Sequence, residues 1–506
     1  MRPKFKYYNQ SQAFLLPPSL DEMIKETHPV RTINKIIDEI DISDIENNYI
    51  GGGATSYSPR MLLKILVYAY MNNVYSSRRI ENLVQENIHY MWLSGMQKPD
   101  HNTINRFRSK RLASGLKEVF SKVVMLFHEA GILDIKDIYT DGTKIEANAN
   151  KYSFVWGKNI RTRKEKILQQ VNELWKYALQ VSAEEMRDVR PQSYEEINPE
   201  SITETIEEIN KVLVKKKIDK NVRAKLTKVK KTWPEQLRKC QAYEKLMNGR
   251  NSCSKTDPDA VFIRMKEDRM QNGQLKAAYN WQISTNNQIV VNYSIHQTAG
   301  DTSTFVEHIE SYKRQYREYP DSITADAGYG SHENYKYAED NNIEAYIKYN
   351  YFHKEQQSKW QKDISKSDNL YYNEEQDCYY CPMGQAMENI GEKEKITLNG
   401  YKQIVSRYKA QNCVGCPLRA ACHEGADNRT IEINKEAKRL REQAKSLLMS
   451  PEGLKKRKRR PIEPETVFGN IKHNKQFRRF LLRGKEKVEI EVGLLALAHN
   501  LSKFVA

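Results

Sequence analysis

The chain has 506 residues, 39% of them apolar, which leaves room for about two to four domains with real hydrophobic cores and excludes a small disulfide-stapled scaffold. Lysine and arginine total 82 against 65 aspartate and glutamate, a net charge of +17 that makes polyanions, nucleic acid first, the partners to expect. The longest apolar stretch near the start, Met61 to Met71, is broken by Lys64 and falls short of the ~18 uncharged residues of a membrane span. The opening Met1-Arg2-Pro3-Lys4-Phe5-Lys6 leads into no apolar signal core, so the expectation is a cytosolic, nucleoid-associated protein without membrane contact.

Residues 1–125 read as helical. Ser58-Pro59 has the form of a helix start, with Ser at the cap and Pro at the first helical position, ahead of the apolar face Leu62, Leu63, Ile65, Leu66 and Tyr70. A second start, Pro99-Asp100-His101-Asn102-Thr103, leads into a basic helix. With Arg78, Arg79, Arg106 and Arg108 on short helices, the segment suits a helix-turn-helix-like DNA-binding domain, though charge alone fits a solvated basic face equally well.

From Asp137 the pattern turns to strand, over Ile138 to Glu146. Residues 156–255 form a polar insertion in which Ile167, Val171, Leu174, Ala178 and Val181, then Ile202, Ile206, Ile209 and Leu213, recur at steps of three and four. They predict two arms of a helical hairpin or coiled coil, turning between Arg187 and Pro199. Strands follow at Ala277–Ser284 and Gln288–Ile295, linked as a hairpin by Thr285-Asn286-Asn287. Next come a helix (Thr302–Tyr316), a strand (Ser322–Asp326), a helix (Ser331–Asn341) and a strand (Ile343–Ile347). Without the insertion the order is β-β-β-α-β-α-β, a mixed α/β sheet with helices on its faces. That is the ribonuclease-H-like order, with a core of residues 130–155 and 256–350.

Two aspartates stand out within this order. Asp141 lies inside the first strand and Asp326 at the end of the fourth, and a carboxylate inside a sheet loses hydration unless it is paired or metal-bound. Each alone also fits a turn-capping Asp; together, in neighbouring strands of a basic protein, they suit Mg²⁺, which takes hard oxygen ligands. Two such ions about 3.5–4 Å apart activate water and stabilise the leaving oxygen of a phosphodiester, and they call for a third carboxylate. Its best source lies in the C-terminal basic helices, residues 436–506. There Glu465 and Lys472 are seven apart, two helical turns on one face, whereas Glu463 lies off that face. The run Lys455–Arg460 precedes this helix and Arg478 and Arg479 follow it, cations suited to DNA backbone.

Five of the seven cysteines fall between Cys378 and Cys422, inside a segment drawn at 351–435. Cys378-x2-Cys381 and Cys413-x2-Cys416 have the spacing of two zinc knuckles, with Cys422 and His423 as spare ligands, so a small zinc-ribbon-like insertion with a structural Zn²⁺ is expected. Cys240 and Cys253 read as ordinary small residues.

The strand Tyr139-Thr140-Asp141-Gly142-Thr143-Lys144, the strand-turn Ala325-Asp326-Ala327-Gly328-Tyr329 and the Glu465-x6-Lys472 helix resemble the three acidic motifs of bacterial insertion-sequence transposases of the DDE class. The segment Pro99–Arg108 and the block Val467-Phe468-Gly469-Asn470-Ile471-Lys472-His473-Asn474 resemble the eleven-eighty-two group in particular, and the likeness runs from about Pro29 to Phe504. The resemblance implies a cut-and-paste recombinase in which Asp141, Asp326 and Glu465 hold two Mg²⁺ ions, replaceable by Mn²⁺. It would act as a homodimer on double-stranded DNA, the transposon ends and the target. Related families place an Arg four residues before the catalytic Glu and a Tyr three before that, where this chain has Pro461 and Lys458. The Arg's part then passes to Arg460 or Arg459, and a register set by Arg459 makes Glu463 the third acid. The competing readings are a non-enzymatic zinc-containing DNA-binding protein and an inactive transposase-derived protein.

Overall fold

The β-branched and aromatic run after Asp137 folds as strand β1, Asp137–Glu146, the centre of the main sheet. The computed structural model describes residues 10, 18–49, 55–150, 153–181, 199–214, 220–265, 275–397 and 399–505. Two short strands, β2 (Phe154–Trp156) and β3 (Ser252–Ser254), pair at the base of the helical insertion. The main sheet adds β4 (Val261–Arg264), β5 (Leu275–Asn286), β6 (Ile289–His296), β7 (Ser322–Ala325) and β8 (Glu344–Ile347). The order is β4-β5-β1-β7-β8, with β6 beside β4 along the outer edge of β5. β5 runs antiparallel to β1, while β7 and β8 run parallel to it.

The β5–β6 turn differs from the expected link. β5 continues to Asn286, and the turn is Asn287 and Gln288, both at positive φ (53° and 62°). Two successive left-handed residues match the twist of the flanking strands, and Asn tolerates that region well.

The start signals at Ser58 and Asp100 act as caps, accepting the N–H of Met61 and of Thr103. Every residue from Met61 to Tyr70 is buried, as is almost all of the C-terminal helix Lys485–Phe504. A helix apolar on all sides needs cover all round. These two helices and the main sheet supply it to each other within one apolar cluster. The basic helix after Asp100 is only six residues, His101–Arg106; a wide π turn, Phe107–Arg111, then swings Arg108 into the interior.

The helical insertion has three helices rather than two arms: Gly157–Val181, Pro199–Val214 and Lys220–Met247. Leu226, Val229, Trp233 and Leu237 of the third join the residues expected from the first two in a separate core. Their spacing is masked in sequence by the lysines and arginines around them. Residues 187–198 of the expected turn lie outside the described residues.

Beyond β8 the chain forms a second, antiparallel sheet from β9 (Tyr372–Asn373), β10 (Cys378–Tyr380), β11 (Ala386–Ile396), β12 (Lys402–Ala410) and β13 (Thr430–Ile433), in the order 13-12-11-10-9. Its small core holds Tyr379, Met387, Tyr408 and Ile431. Helices Lys435–Met449 and Pro451–Arg459 lead back to the main sheet. The motif helix is then wound as π (Pro461–Glu465), α (Thr466–Gly469) and π (Asn470–Asn474) rather than as one α-helix. Pro464 has no N–H to return to the carbonyl of Arg460, so the ladder opens at that point. No helix among the described residues is long and apolar enough to cross a membrane.

Candidate active site

Asp141 is buried in the middle of β1, opposite Ile283 of β5. On the other side β1 pairs in parallel with β7 as far as Tyr139↔Thr324. Two residues further in that register, Asp326 comes level with Asp141 just past the end of β7. There Asp326 caps the turn Ala327–Tyr329, its Oδ1 accepting the N–H of Gly328 at 2.8 Å. Capping uses one oxygen and leaves Oδ2 for another partner.

That partner is Arg460. Its Nη2 lies 2.9 Å from Asp141 Oδ1 and 3.5 Å from Asp326 Oδ2, while Nη1 lies 2.9 Å from Glu465 Oε1. One guanidinium, 13% exposed, therefore draws together carboxylates from a strand, a strand end and a helix. The π turn between Arg460 and Glu465 lets both side chains reach this point. Glu463 goes the other way: it is 2% exposed, pairs with Arg459 Nε at 2.8 Å and accepts the N–H of Gln288 at 2.8 Å. Of the two acids left open by the sequence, Glu465 is the one beside the aspartates, and Glu463 fastens the helix to the β5–β6 turn.

Asp301 is an acid that no motif or strand pattern singled out. It accepts from Lys144 Nζ at 2.8 and 3.0 Å, from Asn280 at 2.8 Å and from Gln282 at 3.0 Å. Burial opposes its ionisation, but these donors hold its carboxyl below the usual aspartate range. A Cβ on Gly142 would come within 2.8 Å of Asp301 Oδ1, so the Gly of Asp141-Gly142-Thr143-Lys144 makes room for this cluster. The buried Tyr329 hydroxyl donates to Gln282 Oε1 and is held far above the usual tyrosine range, first by burial and then by Asp301, Asp141 and Asp326.

Three carboxylates converging on one cation offer hard oxygens of the kind Mg²⁺ takes. Among the described residues no three His, Cys, Asp or Glu side chains stand as a metal would gather them, and Arg460 is the charge between these acids.

The expected DNA-contacting cations divide. Arg78, Arg79, Arg106 and Arg478 are exposed. Arg479 is exposed too, with its guanidinium on the carbonyls of Ala147 and Ala149, and Lys472 is half-buried. Arg108 is buried on the carbonyl of Tyr75 at 2.6 Å and on Tyr70 and Asn105, which removes it from any DNA surface. Arg459 serves Glu463 and Arg460 the three acids. Lys456 is buried on Asp137 at 2.8 Å, so the run Lys455–Arg460 is not uniformly a DNA-facing patch.

The expected Cys378, Cys381, Cys413 and Cys416 set is not gathered, and all seven cysteines are free thiols. Cys378 is paired into the sheet between β9 and β11, and its thiol donates to Gln376 Oε1 at 3.7 Å. Cys381 Sγ accepts the N–H of Gln385 and Cys413 Sγ that of Arg429, both at 3.4 Å. Cys422 Sγ accepts from the guanidinium of the buried Arg429 at 2.9 Å.

Residues 380–505 match a family described as Transposase DDE domain, and residues 18–110 match one described as Transposase domain (DUF772). The first match takes in Arg460 and Glu465 but neither aspartate. No curated protein matches the chain. The class these findings define is the DDE transposases, enzymes that cut and join DNA through acidic side chains and divalent metal ions. This chain is an insertion-sequence transposase of the DDE type, which sets aside the reading as a non-enzymatic DNA-binding protein.

Proposed function

We propose that this transposase binds the ends of its insertion sequence and moves it by cut-and-paste, using a ribonuclease-H-like core in which Asp141, Asp326 and Glu465 are the catalytic acids. The observation that carries this reading is the convergence of all three on Arg460. The strand order, with β5 and β6 antiparallel to their neighbours and β7 and β8 parallel to β1, supports the core assignment. The three acids would hold two Mg²⁺ ions, which when bound activate water and stabilise the leaving oxygen. The chain's own part is positional. β1 and β7 fix the two aspartates in register, the Gly328 N–H orients Asp326, and the Arg459–Glu463 pair anchors the helix that presents Glu465. Arg460 balances the acids' charge and must yield as a divalent ion enters.

Residues 1–125 are proposed to bind DNA through Arg78, Arg79 and Arg106 on the packed helices Ser77–Glu86 and His101–Arg106, in helix-turn-helix fashion, with two copies of the chain on paired ends. The block Val467–Asn474 supports placement in the eleven-eighty-two group. A structural zinc ion in segment 351–435 would use Cys381, Cys413 and Cys422, whose sulfurs accept N–H donors as thiolates do, with Cys416 as the fourth ligand. Elemental analysis of protein purified without chelator checks it, at about one zinc per chain.

The decisive experiment is cleavage of a duplex bearing the element's end in Mg²⁺. Asp141→Asn, Asp326→Asn and Glu465→Gln each abolish cleavage and leave end binding intact; cleavage by any one of them near the unsubstituted rate removes that residue from the site.

A further inference from the structure

The turn that carries Asp326 is pressed against the end of β8. A Cβ on Gly330 would collide with the carbonyl of Lys348 and lie 2.9 Å from the Cα of Tyr349, and Tyr335 donates to the carbonyl of Ile347 at 2.9 Å. Lys348, the first residue after β8, is thereby fixed beside the acids. Arg457 comes to the same place from the helix Pro451–Arg459, one turn before Arg460, with its guanidinium 5.1 Å over the ring of the buried Phe352. His353 follows that Phe, its ring 5.1 Å from it.

Lys348 and Arg457 differ from the others near the site in lacking an ion-paired carboxylate, although Lys348 feels the charge of Asp326. Lys144, Lys456, Arg459 and Arg460 all have carboxylate partners. Lys348 and Arg457, both half-buried, have neither an ion pair nor a hydrogen bond among the described residues, and Arg457 Nε is wholly buried without a partner. Burial, then the charges of Arg460 and Arg457, hold the Lys348 ammonium below its ordinary range, and burial with Lys348 and Arg457 does the same to His353. Placing like charges together, half out of water, opposes folding unless an anion joins them.

We propose that Lys348 and Arg457, with His353 at the rim, form a binding subsite for one backbone phosphate of the DNA strand, next to Asp326. The inference rests on the reading of Asp326 as an active-site acid for its place in the reaction, but not for its chemistry. The phosphate would lie on the outer side of Asp326, and the subsite would fix how the strand enters the site. Arg460 is committed to the three acids, so beside Asp326 it is Lys348 and Arg457 that have no ion-paired carboxylate to leave when the strand arrives.

The test is equilibrium binding of the full-length protein to an end-bearing duplex without divalent metal, over a range of salt. Lys348→Met and Arg457→Met should each weaken binding several-fold at about 0.15 M salt and lower the log–log salt slope by about 0.9, the contribution of one neutralised phosphate. Lys239→Met, on an exposed residue of the helical insertion that is ion-paired with Glu235 at 2.6 Å, should leave the slope unchanged. Replacing single phosphates of the duplex by uncharged methylphosphonates should reveal one position at which the unsubstituted protein loses as much as Lys348→Met does, with no further loss when the two changes are combined. Without DNA, Lys348→Met should melt at the same temperature or higher, because a half-buried unpaired charge is gone. Competition by millimolar inorganic phosphate, relieved in Lys348→Met, would instead make this a site for free phosphate and overturn the DNA assignment. An unchanged slope in both variants, or a lower melting temperature for Lys348→Met, would overturn the subsite. None of these outcomes depends on cleavage, so they stand apart from the test of the three acids.

Discussion

The main sheet and the cysteine-bearing sheet treat their reactive side chains differently. In the main sheet three carboxylates far apart in sequence meet at one guanidinium, each held from a second direction: Asp141 by the ladder, Asp326 by its turn, Glu465 through the Arg459–Glu463 anchor. In the cysteine-bearing segment Cys378 lies on a strand, Cys422 ends the short helix Arg419–Cys422 and the others lie in loops, and the sulfurs of Cys378, Cys381, Cys413 and Cys422 each meet a nearby N–H or amide. Like charges repel, so acids can stay together only if the fold supplies a cation, and here it does. No one cation draws these sulfurs together; each of the four contacts is made with a residue of the same segment.

Breaking the convergence should have the largest effect. If the three acids hold the metals as proposed, Asp141→Asn, Asp326→Asn and Glu465→Gln should each cost several kcal/mol at the transition state, a loss of about a thousandfold or more in cleavage rate. Glu463→Gln, two residues from Glu465, should cleave within about tenfold of the unsubstituted rate in the same assay, each tenfold being about 1.4 kcal/mol of barrier. Equal losses in Glu463→Gln and Glu465→Gln would end the distinction between the two acids.

The anchor can be weakened separately. Glu463→Ala removes the acceptor of the part-buried Gln288 N–H and one of the two acceptors of the Thr285 hydroxyl, which keeps the Tyr139 carbonyl, so it should destabilise folding by about 1–2 kcal/mol in denaturant titration. The partly exposed Arg459 regains water and adds little.

Acid should loosen the same junction. His499 donates from Nε2 to the carbonyl of Gln288 and accepts from Asn470 at Nδ1, and burial pushes it down to about 4. Its folded-state value lies below the unfolded one, near 6.5, so the unfolded chain takes up the proton first. Stability from this group is therefore complete above pH ~6.5 and is lost as pH falls towards 4, by about 2.5 kcal/mol at pH 4.5. Thermal melts of His499→Gln should be flatter over that window; an unchanged slope would exclude His499 as the cause.

The smallest effect belongs to the second sheet. Cys378→Ser should cost less than about 1 kcal/mol and leave proteolysis of segment 351–435 unchanged, because a hydroxyl can still donate to Gln376. Cys413→Ser, which alters the acceptor for the Arg429 N–H, should be the more protease-sensitive of the two. The opposite order would restore Cys378 to the set that holds the insertion together.

Strand identity, the helix starts at Ser58 and Asp100, the positions of Asp141 and Asp326 and the choice of third acid as Glu463 or Glu465 were all legible in the sequence. Each depends on neighbours within a few residues: a cap and its first turn, an alternation, an acid where β-branched residues surround it. The third insertion helix was not legible, because Leu226, Val229, Trp233 and Leu237 are diluted among cations and gain meaning only against the first two helices. Nor was the sorting of the basic run. Lys456, Arg457, Arg459 and Arg460 are nearly interchangeable as letters, yet one is buried on Asp137, one lies over Phe352, one anchors Glu463 and one binds three acids. Local sequence sets which residues can be helical or extended, since backbone preference acts over a turn or two. Which charge meets which was decided by tertiary structure, because Asp137, Asp141, Asp326 and Phe352 lie more than a hundred residues from their cations, and even the nearby Glu463 and Glu465 are told apart only by which of them the packed helix turns towards the aspartates.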